Sequence, residues 1–305
     1  MIAQQHTAPE FTPYVTPSKT LVGCSGKHGF LRLGFELDAQ GRSILRDWER
    51  RAPLIVQQAL YFDEEMTEMP CVYILSSGGP NIEGDRYEQH ITLKQGAFAH
   101  ISTGAATKLA EMRHNYASLE QLIELDEAAY LEYLPEAMIP CRHSRYRSET
   151  TLRVAPTATL FYSEIWLSGR KYYKGGEQFQ YDILSITTHG ERPNREPLFH
   201  EKFIIRPKEH SPESIGQMNG YDVLGNILVL TPPPDADRIY EKIEPFIDIQ
   251  QHIALGITRL PRQAGLNLKI LGQDTQSVKR LIRKICSVVR LQIKGHVLFD
   301  EFPWR

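Results

Sequence analysis

Three segments of the chain share one pattern, in which an apolar strand end is followed by a short turn and a small residue starts the next strand. The pattern occurs at 93–99, 125–131 and 154–160, and an interval of roughly thirty residues is typical of stacked repeat architectures. Stacked β-coils bury a continuous core that no single coil could bury alone. The pattern therefore favours a mainly β chain with a β-helical, solenoid-like winding of strands. Three ordinary hairpins in a sandwich are the alternative.

The order of strand and helix patterns divides the chain into three parts. Residues 1–20 hold prolines among Thr and Gln, which predicts a flexible lead-in. Residues 21–210 carry alternating strand patterns, including a hairpin at 31–48, and predict a β-rich body. Residues 211–305 predict a smaller α+β part with about two helices, packed on that body.

The strongest helix pattern lies near the end of the chain. Apolar residues recur at three- and four-residue steps over 278–289, as on one face of a helix. Asp274 or Thr275 can cap its start and Gly295 its end. The opposite face is basic, which usually indicates a solvated face and less often a docking surface. The candidate partner contacts on the apolar face are Leu281, Ile285 and Val288.

Composition and charge exclude several classes of protein. A formal net charge of −2 over 305 residues argues against a surface that coats nucleic acid. No apolar run approaches the roughly 20 residues that span a bilayer, and the N-terminus lacks the pattern of a signal peptide. The four cysteines are far apart, which favours reduced thiols over a disulfide framework or a zinc site. We expect a cytoplasmic protein with neither membrane nor nucleic-acid partners.

A glycine-rich segment at 76–86 separates two strand-like runs. Its glycines and proline specify an unusual backbone path, because Gly readily takes φ > 0 and Pro restricts φ. The segment is not a phosphate loop, since no Lys follows Gly84 as in a Walker loop, and 87–93 alternates like a strand where a Rossmann helix would begin. A tight turn between strands is the plainer interpretation.

Two carboxylates are candidates for chemistry. Glu164 lies in the segment 160–167, which is apolar on both faces and therefore predicts a strand buried on both sides. A buried carboxylate must be paired, protonated, metal-bound or hydrated. Glu177 starts a second alternating face after two glycines. The structural alternative is that Glu164 pairs with an arginine such as Arg170, while Glu177 lies at a solvated strand end.

Taken in order, the motifs of the chain resemble the UreD family, also called UreH, of urease accessory proteins. The resemblance covers nearly the whole chain, and the ordered set is specific although no single motif decides it. The matching segments are Arg-Ala-Pro-Leu-Ile-Val-Gln at 51–57, the Gly-Gly to Gly-Asp-Arg loop at 78–86, Gly-Ala-Ala-Thr-Lys at 104–108, Leu-Ser-Gly-Arg at 167–170, Gly-Glu-Gln-Phe at 176–179 and the terminal Pro-Trp-Arg at 303–305.

The resemblance implies an accessory protein and not an enzyme. Family members bind the urease apoprotein on one side and UreF on the other, and UreF carries the GTPase UreG. Nickel is thought to pass through an internal water-filled passage, with Ni²⁺ in transit and no tightly bound cofactor. Acidic family positions that line or support the passage match Asp85, Glu164 and Glu177. The family motifs also make structural residues of Gly78, Gly79, Gly84, Arg86, Lys108 and Arg170.

The chemistry of such a passage suits these residues. A divalent ion cannot cross a dry core, whereas carboxylates and water can replace part of its hydration shell. The passage must also bind weakly enough for the ion to leave. Two other functions remain open: a β-helical enzyme that uses the same three carboxylates as acid–base groups on a polysaccharide, and a pure tethering scaffold. The last helix and the strands at 260–271 are predicted to contribute to the side that faces UreF.

Overall fold

Most of the regular secondary structure is β-strand. The computed structural model describes residues 8–14 and 26–298. Strands account for 45% of the residues and helices for 14%, which confirms the prediction of a mainly β chain. The two α-helices lie in the C-terminal part, as predicted.

The elements are numbered in chain order. The first ten strands are β1 (His28–Leu37), β2 (Ser43–Arg51), β3 (Leu54–Ile55), β4 (Cys71–Ser76), β5 (Arg86–Leu93), β6 (Phe98–Thr103), β7 (Thr107–Leu109), β8 (Ala117–Leu125), β9 (Tyr130–Leu134) and β10 (Met138–Pro140). The remaining strands and the helices are β11 (Arg145–Val154), β12 (Thr159–Leu167), β13 (Ile183–Glu191), β14 (Pro197–Ile205), β15 (Val223–Leu230), α1 (Pro233–Lys242), β16 (Phe246–Asp248), β17 (Ile253–Arg259), β18 (Gly265–Gly272) and α2 (Thr275–Lys294). Two short 3₁₀ helices cover Pro9–Tyr14 and Pro261–Gln263.

The strands form two sheets that pack face to face. The first sheet has seven strands in the order β14-β13-β11-β8-β5-β1-β2. The second sheet has eleven strands, of which nine follow the order β16-β17-β18-β15-β12-β9-β6-β4-β3, while β7 and β10 form a short ladder beside β12. One apolar core lies between the sheets, and another lies between the second sheet and the two α-helices. The second sheet is therefore the middle of three layers.

The chain crosses repeatedly from one sheet to the other between β5 and β13. Strands β5, β8, β11 and β13 are parallel neighbours in the first sheet, and β6, β9 and β12 are parallel neighbours in the second. The turns between them are stacked: the N–H of Tyr130 donates to the carbonyl of Ala97, and that of Thr159 to Ala129, both at 2.9 Å. The three similar sequence segments are these stacked turns.

The prediction of a β-helical solenoid is not confirmed as a closed winding. Antiparallel strands flank the parallel ladders, with β2 on β1, β14 on β13, and β15 on β12. Both sheets therefore end in open antiparallel edges, which parallel strands linked by crossovers do not produce by themselves. The predicted hairpin at 31–48 is confirmed as the β1–β2 pair.

Helix α2 packs its apolar face on the second sheet. Asp274 caps its start by accepting from the N–H of Ser277 at 2.8 Å, and Gly295 ends it with φ of 77°. Of the candidate partner contacts, Ile285 is 3% exposed in the core, and Leu281 and Val288 are partly buried against that core. These side chains already have partners within the chain. Although α2 has 20 residues, no helix in the described ranges is long and apolar enough to span a membrane.

Part of the predicted flexible lead-in packs on the body. Phe11 is fully buried between Tyr116 and Ile183, with the Phe11 and Tyr116 ring centroids 4.5 Å apart. The carboxylate of Glu10 accepts from the Ser185 hydroxyl at 2.7 Å and pairs with Lys202 at 2.7 Å. Residues 1–7 and 15–20, the rest of that prediction, lie outside the described residues.

A buried ionic cluster joins α2 to the second sheet. The Arg290 guanidinium pairs with both carboxylate oxygens of Glu132 at 2.7 Å and with Asp63 at 2.5 Å, and all three side chains are fully buried. Tyr130 and His100 add hydrogen bonds to Glu132 at 2.6 and 2.8 Å. Burial alone would raise the pKa of Glu132, but Arg290 and His100 bring it well below its usual range. Such a cluster is stable only while every member keeps its partners.

Replacing the buried guanidinium should destabilise the fold strongly. Arg290→Met leaves the carboxylates of Glu132 and Asp63 buried without their cation, so we expect the free energy of unfolding to fall by about 3–5 kcal/mol. Urea unfolding followed by circular dichroism measures this loss. Lys284→Met, at an exposed position of the same helix, is the control and should change stability by less than about 0.5 kcal/mol. An equal loss of unfolding free energy in both variants would contradict the stabilising role assigned to Arg290 in the buried cluster.

Candidate functional site: the polar interior between the sheets

A row of inward-facing polar side chains crosses the first sheet. Its parallel strands pair without a register shift, so equivalent residues stand side by side, and β14 places a glutamate at the end of the row. From β5 to β14 the row consists of Gln89, Gln121, Thr150, Thr188 and Glu201. The first four are all at most 6% exposed. The row therefore brings polar atoms inside the sandwich, where apolar side chains normally meet.

A second polar row faces it from the second sheet. Glu164 of β12 is in register with Asn226 of β15, and Asn226 is in register with Lys269 of β18. Beside this row, Tyr133 and Tyr162 stack with ring centroids 5.3 Å apart. Strand β12 is buried along both faces, which confirms the prediction made from its apolar pattern.

Hydrogen bonds connect the two rows across the interior. The Gln121 side-chain amide donates to the Tyr133 hydroxyl at 2.8 Å and to the side-chain oxygen Oε1 of Gln89 at 2.9 Å. The Asn226 amide lies 3.4 Å from an oxygen of Glu164 and 3.4 Å from an oxygen of Glu201. Because buried polar groups without partners are costly, this network is what allows a polar layer between two sheets.

A cavity of about 660 Å³ lies between the two sheets at one end of the rows. Its wall includes the polar side chains Gln89, Gln121 and Glu164. Aromatic side chains form much of the remainder, namely Tyr87, Tyr133, Tyr146, Tyr162 and Trp166. The wall is mainly apolar and carries these polar groups at separate points. The cavity is much larger than the roughly 30 Å³ of one water molecule, so water can bind beside the polar groups.

Glu164 is the predicted carboxylate that lines this cavity. It is 8% exposed and accepts from the Tyr162 hydroxyl at 3.0 Å and the Asn226 amide at 3.4 Å. Within residues 8–14 and 26–298 it forms no ion pair. Burial raises the pKa of Glu164 above its ordinary value. Its hydrogen-bond partners are thus neutral groups, and its side chain forms part of the cavity wall.

Asp85 holds the glycine-rich loop and lies outside the cavity wall. It is fully buried and accepts from the N–H groups of Lys27 and Ile82 at 2.8 and 3.0 Å and from the Tyr87 hydroxyl at 3.1 Å. The Lys27 ammonium lies 3.2 Å from Oδ2 of Asp85, the oxygen that also accepts from Ile82 and Tyr87. Tyr87 lines the cavity, so Asp85 positions one wall residue from behind.

The glycine-rich loop connects two sheets, so it is not a tight turn between paired strands. It leads from β4 in the second sheet to β5 in the first, with φ of 70° at Gly79 and 84° at Gly84. A side chain at Gly78 would come within 2.8 Å of Pro53. Arg86 fixes the far end of the loop by donating to the carbonyl of Tyr116 at 2.5 Å and by stacking on its ring at 4.1 Å.

Glu83, in the glycine-rich loop, caps a neighbouring segment. One of its oxygens accepts from three consecutive N–H groups, those of residues 113–115, at 2.8–3.3 Å. Burial would raise the pKa of Glu83, but these backbone hydrogen bonds lower it below its ordinary value. The glutamate therefore ties the loop to the start of β8.

Glu177 forms a structural ion pair away from the cavity wall. The Arg170 guanidinium donates hydrogen bonds to the two carboxylate oxygens of Glu177 at 2.7 and 2.8 Å. It also lies 3.7 Å from the centroid of the Tyr173 ring. Arg170 therefore pairs with Glu177, and the proposed pairing of Arg170 with Glu164 is wrong. The predicted strand from Glu177 is also wrong, because β13 begins only at Ile183 and Phe179 has φ of 53°.

One side of the cavity is bordered by exposed residues of the segment 103–108. Lys108 is exposed and belongs to the cavity wall, as do Gly104 and Ala105. On the same wall, Glu136 pairs with Lys279 of α2, whose nitrogen is 2.8 Å from both carboxylate oxygens. The cavity therefore meets solvent beside α2, where these two charges neutralise each other.

The polar rows were missed by the sequence analysis, although the chain carries a pattern that could have revealed them. On β5 and β8 a glutamine occupies one inward position between apolar residues, as Gln89 does between Tyr87 and Ile91. Asn226 likewise interrupts the apolar strand β15. A polar residue at one position of each of several buried strands indicates a polar layer once the register is known.

A comparison with known families assigns the chain. A profile described as UreD urease accessory protein matches residues 27–305. The chain belongs to this family. It is 44% identical over 288 residues to urease accessory protein UreD 2 of Brucella suis, covering 94% of this chain and 95% of the relative. It is 42% identical over 305 residues to UreD of Yersinia enterocolitica, with coverage of 98% and 93%.

The family assignment confirms the resemblance found from the motifs. A third relative, UreD of Yersinia pseudotuberculosis, is 41% identical over 299 residues and covers 98% of this chain and 93% of its own length. The names of these relatives denote urease accessory proteins and not enzymes.

The raised pKa of Glu164 predicts a pH-dependent effect on stability. A carboxyl with a folded pKa above its unfolded value of 4.5 contributes stability at low pH that is lost as pH rises through the folded pKa. Glu164→Gln removes this dependence. We therefore expect the variant to gain stability relative to the parent chain as pH increases from 4.5 to 8, measured by urea unfolding at each pH. A difference that stays constant with pH would contradict this.

Proposed function

We propose that this chain acts in urease maturation as a scaffold and a conduit for Ni²⁺, linking UreF and its GTPase UreG to the urease apoprotein. The observation that carries the proposal is the polar interior: two facing rows of polar side chains and a cavity that contains the Glu164 carboxylate. Family membership supports the connection with urease. The nickel ion is cargo in this proposal and is released to urease.

The composition of the cavity suits a hydrated cation in transit. Amide and hydroxyl oxygens on the walls, together with the Glu164 carboxylate, can exchange hydrogen bonds with the water shell of an ion. Within residues 8–14 and 26–298, no group of three or more His, Cys, Asp or Glu is close enough to hold a metal. The other carboxylate of the wall, Glu136, is neutralised by Lys279. The remaining carboxylate attracts a divalent ion weakly, and weak sites allow it to leave.

The arrangement does not favour the alternative of a carbohydrate-active enzyme. That function requires at least two carboxylates beside one substrate, whereas Asp85 and Glu177 are occupied by Lys27 and Arg170. Only Glu164 of these three residues belongs to the wall of the described cavity. In pure tethering, nickel moves outside the chain. Loss of Glu164 should then leave nickel-dependent activation of urease unchanged, whereas in the conduit it should lower that activation.

Substitution of Glu164 tests the conduit against tethering. Glu164→Gln keeps the shape of the side chain and removes its charge, so we expect the complex with UreF, UreG and apo-urease to form while nickel-dependent activation falls severalfold. Pull-down and urease activity at limiting Ni²⁺ measure the two effects. Glu120→Gln, at a 40% exposed position of β8, is the matched control. Normal activation by the Glu164 variant would favour tethering.

The surface around α2 is proposed to face UreF. Its exposed side carries the basic residues Arg280 and Lys284, and β17–β18 lie beneath its neighbour α1. Because Ile285 is buried, contact would occur through the basic side and the partly buried flank. We expect UreF to slow hydrogen exchange in 260–294. Protection confined to other segments on addition of UreF would reject this orientation.

A further inference from the structure

The outer face of the first sheet carries a pair of histidines at its β14 edge. His189 of β13 and His200 of β14 stand directly opposite each other in the antiparallel register. The next residue on each strand's inner side, Thr188 and Glu201, belongs to the inward polar row, so the two imidazoles point to the solvent side of the sheet. His200 is exposed, and the side chain of His189 is 36% exposed. A hydrated ion can therefore reach both rings.

The two rings meet through their Nδ1 atoms. Nδ1 of His189 lies 3.0 Å from Nδ1 of His200, whereas the ring centroids are 4.6 Å apart. Two nitrogen ligands that bind one metal at ~2.1 Å and at a right angle are about 3.0 Å apart. The pair therefore has the spacing of two neighbouring ligands in an octahedral or square-planar complex. Only a cation shared between the two nitrogens, a proton or a metal ion, makes such a close approach favourable, because two facing lone pairs repel each other.

Glu149 of β11 favours the tautomer of His189 that a metal requires. One oxygen of this glutamate lies 3.6 Å from Nε2, the other ring nitrogen of His189. A carboxylate beside Nε2 attracts the ring proton to that nitrogen, which leaves the lone pair of Nδ1 to face His200. Arg147 pairs with Glu149 and restrains it. A carboxylate behind a histidine ligand is a common second layer of metal sites.

Basic side chains on this face of the sheet are paired with carboxylates. Arg147 pairs with Glu120 as well as Glu149. Lys202, which points outward two residues after His200, lies 2.7 Å from the carboxylate of Glu10. A divalent ion between the histidines therefore meets no uncompensated charge from these two residues.

The strands under the pair are fixed by core packing. Phe199, which precedes His200, packs against the apolar core between the sheets, and its ring lies against Gly190, which follows His189. A side chain at Gly190 would come within 2.1 Å of this ring, so the close approach requires glycine. Because both histidines lie on strands anchored in this way, the spacing of their nitrogens is set before an ion arrives.

We propose that His189 and His200 form a surface site for one divalent transition-metal ion, with Nδ1 of each ring as a ligand and water at the remaining positions. Imidazole nitrogens suit Ni²⁺, Cu²⁺ and Zn²⁺, whereas Mg²⁺ and Ca²⁺ prefer oxygen ligands. Two protein ligands are fewer than the three or four of a catalytic or structural metal site, so binding is weak and reversible. The site stands on its own geometry, whereas a role in collecting Ni²⁺ for urease rests on the function proposed above.

The histidine pair is separate from the cavity described above. Neither ring belongs to the cavity wall, and the pair lies on the outer side of the first sheet. The second sheet and both cores stand between it and α2. A partner that covers α2 therefore leaves this pair open to solvent, and loss of the pair can be tested without disturbing Glu164.

Removal of either imidazole should disable the site. In isothermal titration calorimetry of the untagged chain near neutral pH, we expect His189→Ala and His200→Ala each to weaken Ni²⁺ binding by at least about tenfold, the loss that even an outer partner of a metal ligand can cause. The double variant should bind one equivalent of Ni²⁺ fewer than the parent chain. His90→Ala is the matched control: His90 points to the same outer face from β5, but its Nε2 faces the carboxylate of Glu88 at 2.9 Å. It should leave Ni²⁺ binding unchanged.

A paramagnetic probe identifies the ligands directly. Pulsed EPR spectroscopy of the parent chain with one equivalent of Cu²⁺ should show coupling to two imidazoles, and each single-histidine variant should show coupling to one at most. Cu²⁺ should bind more tightly than Ni²⁺, as the general order of affinities for nitrogen sites requires. Excess Mg²⁺ should not displace either ion.

A second set of variants keeps the test decisive. His200→Phe retains a ring opposite His189 and removes both nitrogens, so it replaces the alanine variant if that variant loses its fold by circular dichroism. It should show the same loss of Ni²⁺ binding. Folded variants that bind Ni²⁺ with the stoichiometry and affinity of the parent chain would overturn the proposal and leave the two rings as a hydrogen-bonded pair only.

Urease activation separates this inference from the proposed function. If the pair collects Ni²⁺ for urease, the double histidine variant should activate urease more slowly at limiting Ni²⁺ and normally at saturating Ni²⁺. Lost Ni²⁺ binding together with normal activation at every concentration would support the site and refute its collecting role. Unchanged Ni²⁺ binding by the histidine variants together with impaired activation by Glu164→Gln would refute the site and leave the conduit supported.

Discussion

The polar interior depends on strand register. In the first sheet, β5, β8, β11 and β13 are parallel and unshifted, so one inward position on each strand contributes to a common row. If the strands were offset by one residue, that row would point to the opposite face of the sheet. The stacked turns at the ends of the strands hold this register through hydrogen bonds between successive crossings. The cavity is therefore a product of the winding and does not depend on any single side chain.

The charged residues divide into two groups with different roles. Asp85, Glu177 and Glu132 each have a basic partner, and they hold a loop, a turn and a helix in place. Glu164 has neutral partners and forms part of the cavity wall. Burial of a carboxylate beside neutral groups is unfavourable for its charged form, so this residue is placed at a cost to stability. Such a position is typical of a residue that is retained for function.

The sequence predicted local secondary structure and capping well, and the pairing of neighbouring strands poorly. The hairpin, the double-sided burial of β12, both caps of α2 and the stacked turns follow from patterns within a few residues, and the structure has each of them. The polar rows depend on which strands become neighbours, and no local pattern contains that information. The antiparallel pairing of β14 with β13 and of β15 with β12 was missed for the same reason, since a strand's own residues do not reveal the direction of its neighbour. The partner of Glu177 was missed although Arg170 lies only seven residues earlier, because the predicted strand from Glu177 is in fact part of the loop between β12 and β13. Ile285 was assigned to a partner because an apolar helix face looks alike whether another protein or the chain's own sheet covers it.

The position of Arg290 near the end of the chain has a consequence for biosynthesis. Its carboxylate partners Glu132 and Asp63 are 158 and 227 residues earlier, so the ribosome releases both long before the arginine. Until α2 is made, much of the outer face of the second sheet is uncovered and the carboxylates of Glu132 and Asp63 lack their cation. The outer layer is therefore incomplete throughout most of translation, and its native packing becomes possible only after the last helix emerges.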